Sequence, residues 1–233
     1  MHLTEAHRGM KKVDVAFLVT GTRVPADHGY ALYGAICRIL PFLHAHREDV
    51  DSSSADEIWK EVGIQTINGE SCKPRQIAIN SYSRLRIRID RDCVESILPL
   101  INKTLDLNGG VIRIGTPEIF PLRPASLLRS RLVIIKGFVG AHAFIEAANR
   151  QLRDLGINVT AAIPYRRGMV GLAESPEQKS PLLRRTLQIG KHEIVGYALE
   201  VEGLTADESI RLQENGLGGR RRFGCGIFVP ARG

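Results

Sequence analysis

The segment Gly216-Leu217-Gly218-Gly219-Arg220-Arg221-Arg222-Phe223-Gly224-Cys225-Gly226 holds the densest chemistry in the chain, with five glycines, three consecutive arginines and one aromatic in eleven positions. Glycines at this density let a backbone approach a ligand closely and turn its amides toward phosphate oxygens. Arginines supply charge and paired donors for phosphates or a guanine edge, and Phe223 could stack on a base. The segment is not a P-loop, because no Gly-Lys-Ser/Thr follows. Nor is it a dinucleotide fingerprint, because it follows a helical pattern and precedes a strand. A tight solvated connection with a basic surface is the plainer alternative.

Seven histidines could exchange protons: His2, His7, His28, His44, His46, His142 and His192. His28 lies between Asp27 and Gly29, after an apolar run and at the mouth of a helical pattern. A helix N-terminus favours an anion such as a scissile phosphate and disfavours an imidazolium, so a neutral imidazole there can accept a proton. His142 occupies a similar place in the second half and is the main rival. His44 and His46 fall late in the first helical stretch, toward its other end. Arg23 in the same loop could hold phosphate, and Tyr30 and Tyr33 could orient or protonate a substrate, although Tyr33 also fits a core. For any one of these histidines an ordinary surface position is the alternative. No serine-histidine-acid set or carboxylate pair stands out.

The elements that would position these residues follow from periodicity. Val13–Val19 reads as a buried strand and Tyr30 to about His46 as a helix with an apolar stripe, with Pro41 bending or ending it. Asp49–Ala55 reads as a flexible loop. A weak extended stretch at Ile64–Ile67 is followed by a strand at Ser81–Ile89, where Tyr82, Arg84, Arg86 and Arg88 alternate with Ser83, Leu85, Ile87 and Ile89, a largely aliphatic face. Basic residues around an aromatic suit a nucleic-acid backbone with a stacked base, or equally a solvated face paired with acids. Asp92–Leu105 has helical period despite Pro99, and Val111–Ile114 reads as a strand. After an extended, proline-marked linker over Thr116–Arg131 the pattern restarts: strand Leu132–Ile135, helix Ala141–Leu155 ending at Gly156, strand Val159–Ile163. A hairpin of Arg185–Ile189 and Glu193–Val201 follows, then a Thr205–Glu208 capping box opening a helix to Asn215-Gly216, and a last strand at Ile227–Val229. Each half reads as β-α-β-β-α-β, an α+β fold of two ferredoxin-like domains, 1–123 and 124–233.

Composition sets bounds. The 233 residues are 43% hydrophobic and 24% charged, which suits a globular chain and excludes disorder over most of it. No apolar run reaches the ~18 residues of a membrane span, and the N-terminus lacks an apolar signal core, so a cytoplasmic protein with no membrane partner is expected. Cys37, Cys72, Cys93 and Cys225 form no CxxC or Cys-His cluster, so neither zinc nor disulfides are expected. Lys and Arg number 32 against 25 Asp and Glu, a net charge of +7. From Arg131 onward the balance is 15 against 10, so the half that carries the glycine loop is the more basic, with Arg166-Arg167 and Arg184-Arg185 adding to it.

The glycine-arginine segment resembles the glycine-rich signature of the CRISPR-associated repeat-processing endoribonucleases, the Cas proteins that cut precursor CRISPR RNA. Gly203-Leu204-Thr205-Ala206-Asp207-Glu208-Ser209 upstream and Gly226-Ile227-Phe228-Val229-Pro230 downstream share that likeness. Asp27-His28-Gly29-Tyr30-Ala31-Leu32-Tyr33 and Ser83-Arg84-Leu85-Arg86 are similar to a subgroup named after a myxobacterial system type. The resemblance implies a tandem ferredoxin-like fold and cleavage at the base of a repeat hairpin without metal or cofactor. The RNA 2′-hydroxyl would attack, leaving a 2′,3′-cyclic phosphate and a 5′-hydroxyl. The family's usual base is a histidine close to the first helix. His28 is then the candidate base, with Tyr30 and Tyr33 beside it. Arg23, Arg84, Arg86, Gly216, Gly218, Gly219, Arg220, Arg221, Arg222, Phe223, Gly224 and Gly226 are the candidate RNA contacts. The implied partners are the repeat stem-loop and other effector-complex subunits, with the product retained. Two alternatives stay open: a non-catalytic repeat-RNA-binding subunit, and a small-molecule enzyme using the glycine loop for a nucleotide phosphate. RNA binding predicts affinity that falls steeply with salt; the small-molecule alternative does not.

Overall fold

The computed structural model describes residues 11–44, 62–73, 75–165 and 182–231. The expected loop at Asp49–Ala55, together with His2, His7, His46, Arg166 and Arg167, lies outside them. The chain divides into two compact units, one running to Leu122 and including Arg221–Gly224, the other comprising Arg123–Arg220 and the residues from Cys225.

In the first unit, alternation of apolar residues builds a strand with one buried face. β1 (Lys12–Gly21) directs Val13, Val15, Phe17 and Val19 to the core. It pairs antiparallel with β6 (Arg84–Asp90), which adds Leu85, Ile87 and Ile89, and with β8 (Val111–Pro121), which adds Ile112 and Ile114. The β1–β8 register shifts between Phe17 and Val19, opposite Pro117, which has no N–H for the ladder. β3 (Gly63–Ile64) borders β6, and β7 (Thr104–Asp106) borders β8. β2 (Arg23–Pro25), β4 (Glu70–Lys73) and β5 (Gln76–Ala78) form a separate small sheet. α1 (Gly29–Ile39) lays Leu32, Ala35 and Ile36 into the core.

On the other face of the main sheet, Arg88 makes two hydrogen bonds to Asp14, 2.8 Å from Nε and 2.9 Å from Nη2, and Arg86 lies 5.4 Å from the centre of the Phe120 ring. All three strand arginines are therefore engaged by the fold itself, since Arg84 donates through Nη1 to the Ser81 and Ser83 carbonyls.

The second unit repeats the plan. β9 (Leu127–Val133), α2 (Ala141–Asp154), β10 (Ala161–Ala162), β11 (Arg184–Ile189), β12 (His192–Glu202), α3 (Ala206–Asn215) and β13 (Val229–Pro230) follow in order. Its core joins Leu128, Phe144, Leu152, Tyr197, Leu199, Leu212 and Phe228. The main sheets run β8-β1-β6-β3 and β10-β12-β9-β13, each with neighbours in antiparallel pairing. Numbered within its own unit, each sheet has the order fourth, first, third, second. The α+β fold is a tandem of ferredoxin-like domains.

Several boundaries differ from the sequence reading, for local reasons. The first helix ends at Ile39, because Pro41 opens a separate 3₁₀ turn, Pro41–Leu43. Asp92–Leu105 is not one helix: a 3₁₀ segment spans Arg91–Leu100, and Thr104–Asp106 leaves it to pair with β8. Pro99 removes a donor there, and the Asn108-Gly109-Gly110 turn brings the strands together. The expected linker is mostly strand, with β8 running to Pro121 and β9 starting at Leu127. The strand expected from Ser81 starts at Arg84, because Asn80–Ser83 form a turn.

Candidate active site

His28 stands at the N-cap of α1, where the sequence places it, but its ring is fully buried. Nδ1 lies 2.7 Å from the Pro25 carbonyl, and the Ile67 N–H donates to Nε2 at 2.8 Å. A carbonyl can only accept and an amide N–H only donate, so the ring is neutral with its proton on Nδ1. Neither nitrogen has a lone pair to offer a substrate in this conformation. The next residue is glycine because a Cβ on Gly29 would lie 2.4 Å from the Phe223 carbonyl oxygen. His28 and Gly29 thus pin α1 to the segments around Ile67 and Phe223.

Phe223 also faces inward. Its ring centre is 4.9 Å from Tyr33, edge-on at 89°, and 5.7 Å from Tyr30. The Tyr33 hydroxyl donates to the Leu43 carbonyl at 2.8 Å, and Arg222 donates to the same carbonyl at 2.9 Å with its guanidinium 5.6 Å from the Tyr33 ring centre. Phe223 and Tyr33 pack as core, Arg222 anchors the Pro41–Leu43 turn, and Tyr30 keeps 44% of its surface exposed. Burial pushes the Cys37 thiol up, opposed by a hydrogen bond with Tyr33 and the charge of Arg222.

The glycine loop spends its amides internally. Gly218 N–H donates to the Gln151 side chain at 2.7 Å, Gly219 N–H to the Ile134 carbonyl at 3.0 Å, and Gly226 N–H to the Leu132 carbonyl at 2.7 Å. Gly224 N–H closes a turn on the Arg221 carbonyl at 3.0 Å. A Cβ at Gly218 would sit 2.3 Å from the Ile134 oxygen and one at Gly226 would sit 2.1 Å from the Leu217 oxygen, with φ at +68° and +67°. These glycines serve close packing, and Gly216 ends α3 with φ +62°. Of the loop's charges, Arg220 is exposed, held at φ +65°. Arg23 is exposed on β2 and Arg84 is half-buried at the start of β6; neither lines the cavity beside α1.

That cavity is an open groove of about 360 Å³, bordered by Tyr30, Tyr33, Gly34, Arg38, His44 and Asp106. The size falls in the ~300–1,000 Å³ range of small-ligand sites. Gly34 sits in the middle of the helix, and a Cβ there would meet nothing within 4 Å. His44 reaches the groove because the 3₁₀ turn reverses the chain, with His44 N–H on the Pro41 carbonyl at 2.9 Å. Asn108, whose N–H donates to Asp106 Oδ1 at 2.9 Å, completes the border from the β7–β8 turn. Sequence reasoning put His44 at the far end of a helix and passed over Gly34, Arg38, Asp106 and Asn108. Pro41, which stops the helix, was the signal that His44 turns back.

The remaining histidines offer less. His142 has 90% of its side chain exposed and lies 3.7 Å from Glu146 one turn along α2, and His192 is exposed at the start of β12. Among the described residues no three His, Cys, Asp or Glu side chains group as metal ligands, and no helix is long and apolar enough to cross a membrane.

Comparison with known proteins gives one consistent answer. The sequence profile of the family described as Cas6 Crispr matches residues 13–233. A CRISPR-associated endonuclease Cas6 from Myxococcus xanthus (strain DK1622) is 33% identical over 218 residues, covering 94% of this chain and 81% of the relative. Two solved structures, a CRISPR associated protein Cas6 and a RAMP protein described as binding different RNA substrates, each align with a TM-score of 0.61 over 95% of this chain and 100% of theirs, at 11% and 12% identity. A Cas6-related protein from Pyrococcus furiosus aligns with a TM-score of 0.54 over 94% of this chain and 98% of its own, at 12% identity. These structures share the fold, and the profile and the Myxococcus relative fix the lineage: the chain belongs to the Cas6 family.

Proposed function

We propose that this chain is an endoribonuclease that cuts precursor CRISPR RNA within its repeats, and that the cut is made in the groove beside α1. The observation that carries the reading is the convergence there of an exposed imidazole, a guanidinium and a phenol: His44, Arg38 and Tyr30. RNA brings its own nucleophile. His44 takes the proton from a 2′-hydroxyl, the oxygen attacks the adjacent phosphorus, and the bond to the 5′-oxygen breaks. Arg38 gathers the charge of the phosphorane, and Tyr30 hands a proton to the leaving oxygen. The products are a 2′,3′-cyclic phosphate and a 5′-hydroxyl. His28 anchors the start of α1 rather than taking the proton, because both its nitrogens are committed. Arg23 on the first unit and Arg220 on the second are each exposed and each available to a phosphate of the repeat, and the product is retained for other effector subunits.

The test is cleavage of an end-labelled cognate repeat RNA in EDTA by the wild type, His44→Ala and His28→Ala. Loss of about 10²–10⁴-fold in His44→Ala, with binding intact and a cyclic phosphate on the wild-type product, supports the reading. Full activity in His44→Ala alongside loss in a folded His28→Ala returns the base to His28. Tight binding without cleavage by any form makes the chain a repeat-RNA-binding subunit.

A further inference from the structure

Tyr82 carries an aromatic ring that lies outside the lining of the groove beside α1. It is 80% exposed, and among the described residues its side chain has no hydrogen-bond or ring partner. The backbone beneath it is the opposite of loose. Tyr82 N–H donates to Asn80 Oδ1 at 3.0 Å, and Ser83 N–H donates to the Asn80 carbonyl at 3.0 Å. Ser83 is fully buried, its Oγ accepting from Asn80 N–H at 3.0 Å.

A second segment clamps the turn from outside. The Asn68 side-chain amide donates to the Tyr82 carbonyl at 3.1 Å and accepts from Arg84 N–H at 3.0 Å, as a neighbouring strand would. Asn68 comes this close because residue 69 is glycine; a Cβ there would lie 2.2 Å from the Ala78 carbonyl oxygen. The Arg84 guanidinium then ties the turn from below, donating through Nη1 to the Ser81 and Ser83 carbonyls at 2.7 and 2.9 Å.

A large ring held in water by an already ordered turn costs a flat ligand almost no ordering of the protein. The local charge favours a nucleic acid over an acidic or neutral partner. Arg84 and Arg86 follow on the same strand face, and the nearby acid, Glu70, is engaged by Asn80 Nδ2 at 3.2 Å. We infer that Tyr82 is a stacking platform for one unpaired base of the repeat RNA, a contact separate from the groove beside α1. The inference rests on the chain binding repeat RNA, as proposed above.

The test is equilibrium binding of repeat RNA, in EDTA and across a salt series, by the wild type, Tyr82→Ala and Tyr82→Phe, each checked for an unchanged melting temperature. Tyr82→Ala is expected to weaken binding about 5- to 100-fold and Tyr82→Phe less than about twofold, because stacking needs the ring and not the hydroxyl. The slope of affinity against salt stays the same in all three, since no phosphate contact is lost. Abasic substitutions scanned along the RNA should find one position where Tyr82→Ala causes no further loss. Wild-type affinity in Tyr82→Ala, or equal losses in the Ala and Phe variants, overturns the inference, and the first leaves a protein partner as the occupant. RNA bound through Tyr82 but never cut keeps this inference and removes the endoribonuclease reading; cleavage with Tyr82→Ala unaffected does the reverse.

Discussion

α1 of the first unit and α3 of the second begin in different ways. α1 opens on His28, with no side-chain cap and no acid in its first turn. α3 opens on Thr205 with a complete capping box and Asp207 and Glu208 in the first turn. α2 opens on Gly140, and its His142 is solvated beside Glu146. α3 thus starts by local rules that any short peptide obeys, whereas α2, like α1, has no side-chain cap and no acid in its first turn. The first unit fixes α1 through His28 and a residue 39 positions away. Two histidines at the mouths of two helices therefore do unrelated things, and sequence position alone does not separate them.

The sharpest break of that comparison is a pair of substitutions. His28→Ala strands the buried Ile67 N–H and Pro25 carbonyl and leaves a cavity, so a loss of about 3 kcal/mol or more is expected. At this chain length that lowers the melting temperature by about 2–4 °C per kcal/mol. His142→Ala removes only an exposed side chain and should stay within about 0.5 kcal/mol of wild type. Chemical denaturation of both variants decides it, and equal stabilities would mean that His28 is no anchor.

What could be read from the sequence follows the same division. The capping box at Thr205, the helix stop at Gly156 and the hairpin around Gly190 each depend on neighbours in sequence, and the structure has all three. The alternation in Arg84–Asp90 gave the buried aliphatic face of a strand. It could not show that Arg88 meets Asp14, 74 residues away, while Arg84 ties down its own turn. The glycine loop looked like a phosphate cradle because glycine permits close approach to anything; here the approach is to the protein's own carbonyls. The groove was least legible. It needs β7 beside α1 and a chain reversal at Pro41, so Asp106 and His44 come to border the same groove as Arg38 only after folding.

A smaller effect sharpens the contrast between α1 and α2. Where α2 carries Ala147 and Ala148 at its buried middle, α1 carries Gly34, with open space in place of a side chain. Alanine is a better helix former than glycine by about 0.5–1 kcal/mol, so Gly34→Ala should raise the melting temperature. It also places a methyl group in the groove. A more stable protein with lower kcat/KM on repeat RNA is the expected result, and a variant that gains stability without losing cleavage would show that the groove has no need of the notch.

The smallest effect tests the local rules themselves. Glu208 accepts from the Thr205 N–H at 3.0 Å, the Thr205 hydroxyl at 2.8 Å and the Asn158 N–H at 3.2 Å. The two backbone donors, then the hydroxyl, hold its carboxyl below the ordinary value of 4.5. A folded pKa below the unfolded one means the contribution to stability is present above the ordinary value and fades as pH falls through the lowered one. Glu208→Gln should therefore melt below wild type at neutral pH, with the gap closing only in acid. Hydrogen exchange at the start of α3, corrected for intrinsic rates, should quicken over that same acid range in the wild type and not in the variant. The first turn of α1 has no acid to protonate, so its amides should show no matching change; if they do, acid is loosening the whole chain and the capping box is not the cause.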